Sequence, residues 1–241
     1  LHDIKIDNMA DQHQERLHTA ARPQVPLAVL AVSPGEGLSA MLRQLGASAI
    51  VSGGQTMNPP VEEFIAAIHS GDAERYIILP NNKNIVLAAK QVKKLLGDRV
   101  EVVPTVDVQQ GLAALLAFQP EASLEDNVGW MEERRQEVVS GSVTKAVRDS
   151  VVDGQAVKAG HFLGIKAGKV AAQGECIAKV LLALLQRLVS ESAEVATLYY
   201  GSELTVSEAE NLAAQVREAF PALTVELYDG GQPLYPLLVS V

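Results

Sequence analysis

The stretch LAVLAV at Leu27–Val32 decides the fold class, together with the polar loop SPGEGL at Ser33–Leu38 that follows it directly. An uninterrupted apolar run of this length is typical of a strand that is covered on both faces, as strands of parallel sheets are. After the loop, apolar residues recur at the spacing of one helical face, at Leu38, Met41, Leu42 and Leu45. The segment therefore predicts a strand, a loop and a helix in succession.

Further apolar segments repeat this unit along the first half of the chain, and each leads through a polar loop into a helical pattern. They are Ala49–Val51, Tyr76–Leu79 and Val100–Val103. In the loop after the first of them, Asn58 is expected to cap the next helix and Pro59 to occupy its first position. Strands that alternate with helices in this way form a parallel sheet with right-handed crossovers.

The second half of the chain has a different pattern, in which short β-rich segments are separated by turns. Ser123 and Asp126 are placed to cap a charged helix, which Trp130 and Met131 are expected to anchor. The following segments, Ser142–Val152 and His161–Ile165 around a turn at Asp153–Gly154, predict an antiparallel meander.

Two helices and three strands are expected after the meander. Ile177–Leu188 predicts an apolar helix, at whose start Cys176 is expected to be buried and inert. Thr205 and Glu208 have the spacing of a capping box at the start of the second helix. The strands are expected at Val195–Tyr200, Thr224–Tyr228 and Leu234–Val241.

The expected fold class is α/β with two domains. The chain has 241 residues, enough for one large or two modest domains. We expect residues 1–24 to form an interdomain tail or linker, and residues 25–122 to form the parallel βα domain. Residues 123–241 are expected to form an α+β domain with a mixed sheet, the antiparallel meander and helices.

Composition excludes several classes of function. The net charge of −9 disfavours non-specific binding to nucleic acid or to anionic membranes. Cys176 is the single cysteine, so no intramolecular disulfide forms, which fits a cytoplasmic location. No apolar run is long enough to span a bilayer, and the N-terminus has neither an initiator Met nor the pattern of a signal peptide. We expect the sequence to be part of a longer cytoplasmic protein.

The polar loops that follow the predicted strands are the candidate site. In an open parallel sheet such loops meet at one edge, which is where these sheets bind ligands. Their hydroxyl, amide and backbone N–H groups suit an anion or a polar partner surface. The predicted ligand- or partner-binding residues are Ser33, Gly35, Gly53, Gly54, Thr56, Asn58, Asn81, Asn82, Lys83, Thr105 and Gln110. For each of them a purely structural role, in a cap or a turn, stays open.

Other types of site have weaker support. The GEGLSA segment from Gly35 resembles a dinucleotide loop, but the second strand ends without the acidic residue that would hold a ribose. Ser33 has no histidine nearby in sequence to activate it as a nucleophile. His13 and His18 are five residues apart, which is poor spacing for a metal site on one helical face. We therefore expect no catalytic residue and no metal ligand.

Three motifs carry a family resemblance. They are SPGEG from Ser33, GGQTMNP from Gly53 and LPNNKN from Leu79, followed by Pro104–Thr105 and Gln110–Gly111. In this combination and spacing they resemble the C-terminal region of the bacterial fatty acid kinase A subunit, in the DAK2-domain or dihydroxyacetone-kinase-like family. The resemblance covers nearly the whole chain and implies a DegV-like fold.

The resemblance also implies a function. In that family an N-terminal kinase domain phosphorylates a fatty acid that a separate DegV-like acyl-binding protein presents, and the product feeds phospholipid synthesis. The chain lacks the acidic magnesium and nucleotide motifs of that kinase domain, so we expect no cofactor and no ATP turnover. The expected function is docking of the acyl-binding protein, with the kinase domain of the same protein as a second partner. The alternatives are a DegV-like module that binds a lipid, a fatty acid or a small anion, and, with least support, a phosphatase.

Overall fold

The computed structural model describes residues 25–53, 58–152 and 154–241, and in its first half strands and helices alternate as expected. The first half contains β1 (Val25–Ser33), α1 (Glu36–Gln44), β2 (Ala47–Ser52), α2 (Val61–Ser70), β3 (Ala73–Leu79), α3 (Val86–Leu96), β4 (Val100–Val102) and α4 (Val108–Leu116). The second half contains α5 (Leu124–Glu137), β5 (Ser140–Lys145), β6 (Ser150–Val152), β7 (Gln155–Val157), β8 (Phe162–Lys166), β9 (Lys169–Gly174), α6 (Ile177–Leu188), β10 (Val195–Tyr200), α7 (Val206–Ala219), β11 (Thr224–Asp229) and β12 (Leu237–Ser240). No helix within the described ranges combines the length and the apolar character that crossing a membrane requires.

The first sheet is parallel, in the order β2-β1-β3-β4, and its central strand β1 is buried on both faces. Because side chains alternate along a strand, Leu27, Val29 and Ala31 pack in one core and Ala28, Leu30 and Val32 in another. The first core includes residues of α1 and α4, and the second includes residues of α2 and α3. The apolar run that opened the sequence analysis is therefore the middle of a two-sided sheet.

The second sheet is mixed, in the order β11-β10-β12-β5-β8-β9. Its β10 and β11 pair in parallel, whereas the remaining neighbours are antiparallel. One face packs on α6 and α7 through a core that includes Leu181, Leu184, Leu198 and Val239. The opposite face contributes Tyr199 and Leu238 to the core of α1 and α4. The helices α1 and α4 thus lie between the two sheets, and the expected fold class is confirmed.

The β-rich segment Ser142–Val152 contains parts of two different sheets. The strand β5 ends at Lys145, and β6 and β7 form a separate two-stranded hairpin. Ala146 donates its N–H to the carbonyl of His161, and its own carbonyl accepts from the N–H of Gly160. These bonds close the base of the hairpin, so the chain leaves the sheet there and returns to it in β8. The alternating pattern indicated extended structure correctly but carried no information on which sheet each part joins.

The prediction that Asn58 caps α2 is also wrong. The helix begins at Val61, and Pro60 occupies the N-cap position in an extended conformation. A proline disfavours the helical conformation of the residue before it, so Pro60 keeps Pro59 out of the helix. The two prolines together delay the start of the helix beyond Asn58, which is exposed.

At the starts of α6 and α7, one prediction is wrong and one is confirmed. Cys176 is exposed and occupies the N-cap of α6, where the backbone N–H groups of Lys179 and then Ala178 lower the pKa of its thiol. It is therefore not buried, as the apolar stripe had suggested. Thr205 and Glu208 form the predicted capping box of α7.

The helix α5 is anchored by one of its two predicted residues. Met131 is fully buried in the core of α1 and α4, whereas Trp130 is partly exposed. Ser123 caps the helix by accepting from the N–H of Asp126. Because α5 packs against α4 and the first sheet, this core continues past residue 122, and the domain limits at 24 and 122 stay predictions.

Candidate functional site

The described polar loops meet at the carboxyl edge of the first sheet. Asn81 is at the centre, with a backbone φ of +54° that asparagine tolerates better than most residues. Its side-chain Nδ2 donates to the carbonyl of Val32 (2.8 Å), and its Oδ1 accepts from the hydroxyl of Thr105 (2.7 Å). Its backbone N–H donates to that same hydroxyl oxygen (2.9 Å). Asn81 and Thr105 thus tie the ends of β1 and β3 to the loop after β4.

The SPGEGL loop forms the junction between the two sheets. Ser33 donates its hydroxyl to the carbonyl of Gly35 (3.0 Å), and the N–H of Gly53 donates to the carbonyl of Ser33 (3.0 Å). The N–H of Leu38 donates to the carbonyl of Gly230, which follows β11 (3.0 Å). A Cβ on Gly35 would lie 2.4 Å from that same carbonyl oxygen, so only glycine permits this contact. The loop holds the sheets together at the edge where a ligand was expected.

The remaining predicted residues differ in what the structure describes of them. Asn82 accepts from the N–H of Asn84 (2.9 Å), and Gln110 accepts from the N–H of Val106 (3.0 Å), so both side chains hold local turns. Lys83 is exposed, and its Nζ lies 3.5 Å from the position that a Cβ on Gly168 would occupy. Gly54 and Thr56 lie outside the described residues. A role in binding for any of these residues stays a prediction.

The space between the loops is small. A hollow with a volume of about 10 Å³ is lined by Val32, Pro34, Gly53, Asn81, Asn82 and Ile85. That volume is close to the minimum for a single water molecule. The hollow that the described residues form at this edge is therefore about the size of a single water molecule.

A much larger cleft lies between the layers, and the sequence analysis missed it. It has a volume of about 690 Å³ and runs between α1, α4 and α5 on one side and β10 to β12 on the other. We call it the inter-sheet cleft. The helices contribute Met41, Leu45, Leu112, Ala113 and Leu116, and the sheet contributes Val195, Thr197, Tyr199, Glu226, Tyr228 and Ser240. The signal available in the sequence was the alternation along β10, where Thr197 and Tyr199 point away from the core that holds Ala196 and Leu198.

Polar groups line the sheet side of the inter-sheet cleft. The rings of Tyr199 and Tyr228 stack with their centroids 6.1 Å apart. Burial raises the pKa of the Tyr199 phenol, and the neighbouring Glu226 carboxylate adds to this, while a hydrogen bond with Ser240 opposes it. Tyr199 is therefore a neutral hydroxyl at physiological pH. Among the described lining residues, Arg134 is the one cation, and it forms an ion pair with Glu137.

Gln109 and Asp107 connect α4 to the second sheet. The Gln109 Nε2 donates to the carbonyls of Gly141 (3.0 Å) and Val239 (3.2 Å), which fixes the orientation of its amide. Burial raises the pKa of Asp107, although the hydroxyl of Ser140 donates to its Oδ2 (2.5 Å) and the N–H of Gln110 to its Oδ1 (2.9 Å). These bonds hold the first turn of α4 against β5 and so set one wall of the cleft.

Metal ligands were expected to be absent. Within the part of the chain that the structure describes, no group of three or more His, Cys, Asp or Glu side chains is arranged to hold a metal ion. His2, His13 and His18 lie outside the described residues. Whether the chain lacks catalytic activity stays a prediction.

Sequence comparison identifies the family of this chain. The model of the family described as the C-terminal part of the fatty acid kinase A-like subunit matches residues 28–241. This chain belongs to that family. Protein YloV of Bacillus subtilis (strain 168) is 38% identical over 98% of this chain, and an uncharacterized protein of Staphylococcus aureus (strain USA300) is 36% identical over 99%. The chain spans 44% of the length of each of these relatives.

Solved structures with low sequence identity share the fold. The DegV family protein Cg2579 of Corynebacterium glutamicum has a TM-score of 0.64 at 13% identity, over 90% of this chain and 96% of its own. A DegV family protein of Thermus thermophilus, described as binding fatty acid, has a TM-score of 0.60 at 14% identity, over 90% and 99%. The dihydroxyacetone kinase of C. freundii has a TM-score of 0.58 at 12% identity, over 100% of this chain and 57% of its own. The chain thus has the DegV-like fold.

Proposed function

We propose that this chain is a DegV-like module that binds a long acyl chain in the inter-sheet cleft. The observation that carries the proposal is the size and lining of the cleft, about 690 Å³ with an apolar wall from α1 and α4. Pockets for small molecules usually have volumes of about 300–1,000 Å³ and are mostly apolar. The lipid-binding alternative from the sequence is therefore the function that the geometry supports best.

The exposure of apolar side chains in the cleft supports an apolar ligand. Leu116 is 62% exposed, Tyr228 43% and Val195 42%, and all three line the cleft. Exposed apolar side chains that gather in one concave surface mark binding sites more reliably than scattered ones do. An acyl chain would remove this surface from water and so gain the free energy of apolar burial.

The polar end of the ligand is expected near α5. Arg134 can turn its guanidinium from Glu137 to a carboxylate head group, and planar guanidinium groups bind carboxylates well. The carboxylate of Glu226 on the opposite wall would repel a head group placed there. The fatty acid binding described for the DegV protein of Thermus thermophilus adds support for this ligand class.

Leu116→Glu is expected to weaken the binding of palmitate or oleate roughly tenfold or more, because it replaces apolar wall with a negative charge. Leu95→Glu is the control, since Leu95 is 65% exposed at the end of α3 and does not line the cleft. Isothermal titration calorimetry and native mass spectrometry measure affinity and co-purified lipid. Equal affinities for the two variants, or wild-type protein that binds neither acid, would contradict the proposal.

Docking of a DegV-like acyl-binding protein is a second proposed function, and a different surface favours it. Next to Lys83, the side chains of Leu87 (68% exposed) and Val106 (45% exposed) lie on the surface of the loop edge. The N–H of Lys83 donates to the carbonyl of Val106 (3.1 Å), and Leu87 lies in the first turn of α3. Apolar side chains around one cation suit a protein partner. In this proposal the module is non-catalytic, and a kinase domain elsewhere in the longer protein phosphorylates the fatty acid.

The docking proposal predicts that Leu87→Ser with Val106→Ser weakens capture of a DegV-like acyl-binding protein from the same organism roughly tenfold. Leu95→Ser, at the other end of α3, should leave the affinity unchanged. Surface plasmon resonance with the purified partner measures both variants. If the double variant binds as tightly as the Leu95→Ser control, the partner does not dock at this edge.

A further inference from the structure

Four hydroxyl groups and one carboxylate share the sheet side of the inter-sheet cleft. They belong to Thr197, Tyr199, Glu226, Tyr228 and Ser240, which line the cleft from β10, β11 and β12. Thr197 is paired with Glu226 on one neighbouring strand and with Ser240 on the other. In the same way Tyr199 is paired with Tyr228. Because paired residues on neighbouring strands point to the same face of a sheet, the five side chains form one surface, which we call the polar wall.

Hydrogen bonds show that the polar atoms of this wall converge. The hydroxyl groups of Thr197 and Tyr228 both donate to Oε2 of Glu226, each over 3.4 Å. Burial raises the pKa of the Tyr199 phenol, and hydrogen bonds with Ser240 and Thr197 oppose that effect. The two bonds to Glu226 are longer than the roughly 2.5–3.0 Å that is typical of bonds between a hydroxyl group and an oxygen acceptor. The carboxylate of Glu226 is therefore a weakly engaged acceptor.

Glu226 also has no cation beside it. Among residues 25–53, 58–152 and 154–241, no lysine, arginine or histidine side chain forms an ion pair with its carboxylate. Arg134, which lines the same cleft, pairs with Glu137 instead. An ionised carboxylate accepts hydrogen bonds and cannot donate them, so only a donor can engage it further. A ligand in the cleft gains most at this point if it carries such a donor.

The polar wall faces an apolar wall, to which α4 contributes Leu112 and Leu116. Within the polar wall, Tyr199 and Ser240 are buried and Glu226 is exposed, so polar groups run from the interior of the cleft to its rim. An unsubstituted acyl chain would exclude water from these oxygen atoms without replacing its hydrogen bonds, which opposes binding. The ligand that suits both walls is apolar on one side and carries a hydrogen-bonding group on the other.

We propose that the polar wall selects an acyl chain that carries a hydroxyl group, which donates to Glu226 and accepts from Thr197 or Tyr228. This inference rests on the proposed binding of an acyl chain and adds the chemical class of that chain. A hydroxyl group both donates and accepts, so it matches a carboxylate and neighbouring hydroxyl groups together, whereas an ammonium group only donates. Arg134 in the same cleft also disfavours a second cation, because like charges repel.

Calorimetric titration with stearic acid and a positional series of monohydroxylated stearic acids tests the proposal. Wild-type protein is expected to bind the best-placed hydroxy acid roughly fivefold or more tightly than stearic acid, because polar sites favour ligands that satisfy their hydrogen bonds. Thr197→Val with Glu226→Gln removes a hydroxyl group and the charge with little change in shape, and should bring the two affinities to within about twofold of each other. Glu226→Gln alone, at an exposed position, should lower the ratio part of the way.

Glu210→Gln is the control, because it removes the same charge from an exposed position on α7, which packs on the opposite face of the second sheet. It should keep the wild-type ratio of affinities. Hydroxy acids that all bind no more tightly than stearic acid, or a ratio that the double variant leaves unchanged, would overturn the inference. Tighter binding of octadecylamine than of every hydroxy acid would overturn it as well. Wild-type protein that binds none of the acids would contradict acyl binding itself, and the inference with it.

Discussion

Gly37→Ala is expected to lower the free energy of unfolding by about 3 kcal/mol, because it overpacks the junction of the two sheets. A Cβ at this position would lie 2.0 Å from the carbonyl oxygen of Asp229 and 2.8 Å from its carbonyl carbon. Both atoms are backbone atoms at the end of β11 and cannot turn aside as a flexible side chain can. The N–H of Gly230 donates to the carbonyl of Tyr200 (2.9 Å), which holds this segment in place. The extra methyl group must therefore push the sheets apart.

Chemical denaturation measures this change, and Gly129→Ala is the matched control. Gly129 lies in α5, and a Cβ there would have no heavy atom within 4 Å. Alanine favours a helix interior over glycine, so this control is expected to gain about 0.5–1 kcal/mol. If Gly37→Ala unfolds at the wild-type denaturant concentration, the close approach of the SPGEGL loop to Asp229 is wrong.

Leu181→Ala is expected to destabilise the protein by about 2–5 kcal/mol through the loss of apolar contacts and the cavity that remains. Leu181 is 1% exposed and lies in the core between α6 and the second sheet. Close packing on all sides leaves the neighbouring side chains little freedom to fill the space. The cost therefore includes both the transfer of the side chain and the cavity.

Leu95→Ala provides the comparison for this prediction. It deletes the same atoms from a leucine that is 65% exposed, and surface substitutions of this kind usually change stability by less than about 0.5 kcal/mol. Thermal and urea unfolding of both variants separate burial from residue type. A Leu181→Ala protein that unfolds like Leu95→Ala would place α6 outside the core.

Bonds within the first sheet and contacts with the second sheet both engage predicted site residues. Asn81 and Thr105 were expected to face a ligand, but their polar atoms bond to each other and to Val32. Gly35, the first glycine of the SPGEGL loop, lies against Gly230 and Gln232, which follow β11 of the second sheet. The loops therefore use their hydrogen bonds to join strands and sheets, and we propose the inter-sheet cleft as the site of the ligand.

Local patterns in the sequence were sufficient for part of this structure. The uninterrupted apolar run at Leu27–Val32 indicated a two-sided strand, and the spacing of Thr205 and Glu208 indicated a capping box, because both features depend on neighbours along the chain. The motifs also identified the family and hence the fold class. The capping role of Asn58 failed because Pro60, two residues further on, changes the backbone preference of Pro59.

Only the tertiary structure decided where the two sheets meet and what they enclose. The inter-sheet cleft combines Leu116 from one half of the chain with Tyr228 from the other. No local sequence pattern indicates that Leu116 and Tyr228 lie close together. Their distance is set by the packing of the two sheets against the helices between them. The sequence by itself indicated the strands of the first sheet and showed that the loops after them share one edge. Both features depend on local propensity and on strand direction. Packing between layers determined the cleft, and the contacts among the loops determined the burial of Asn81.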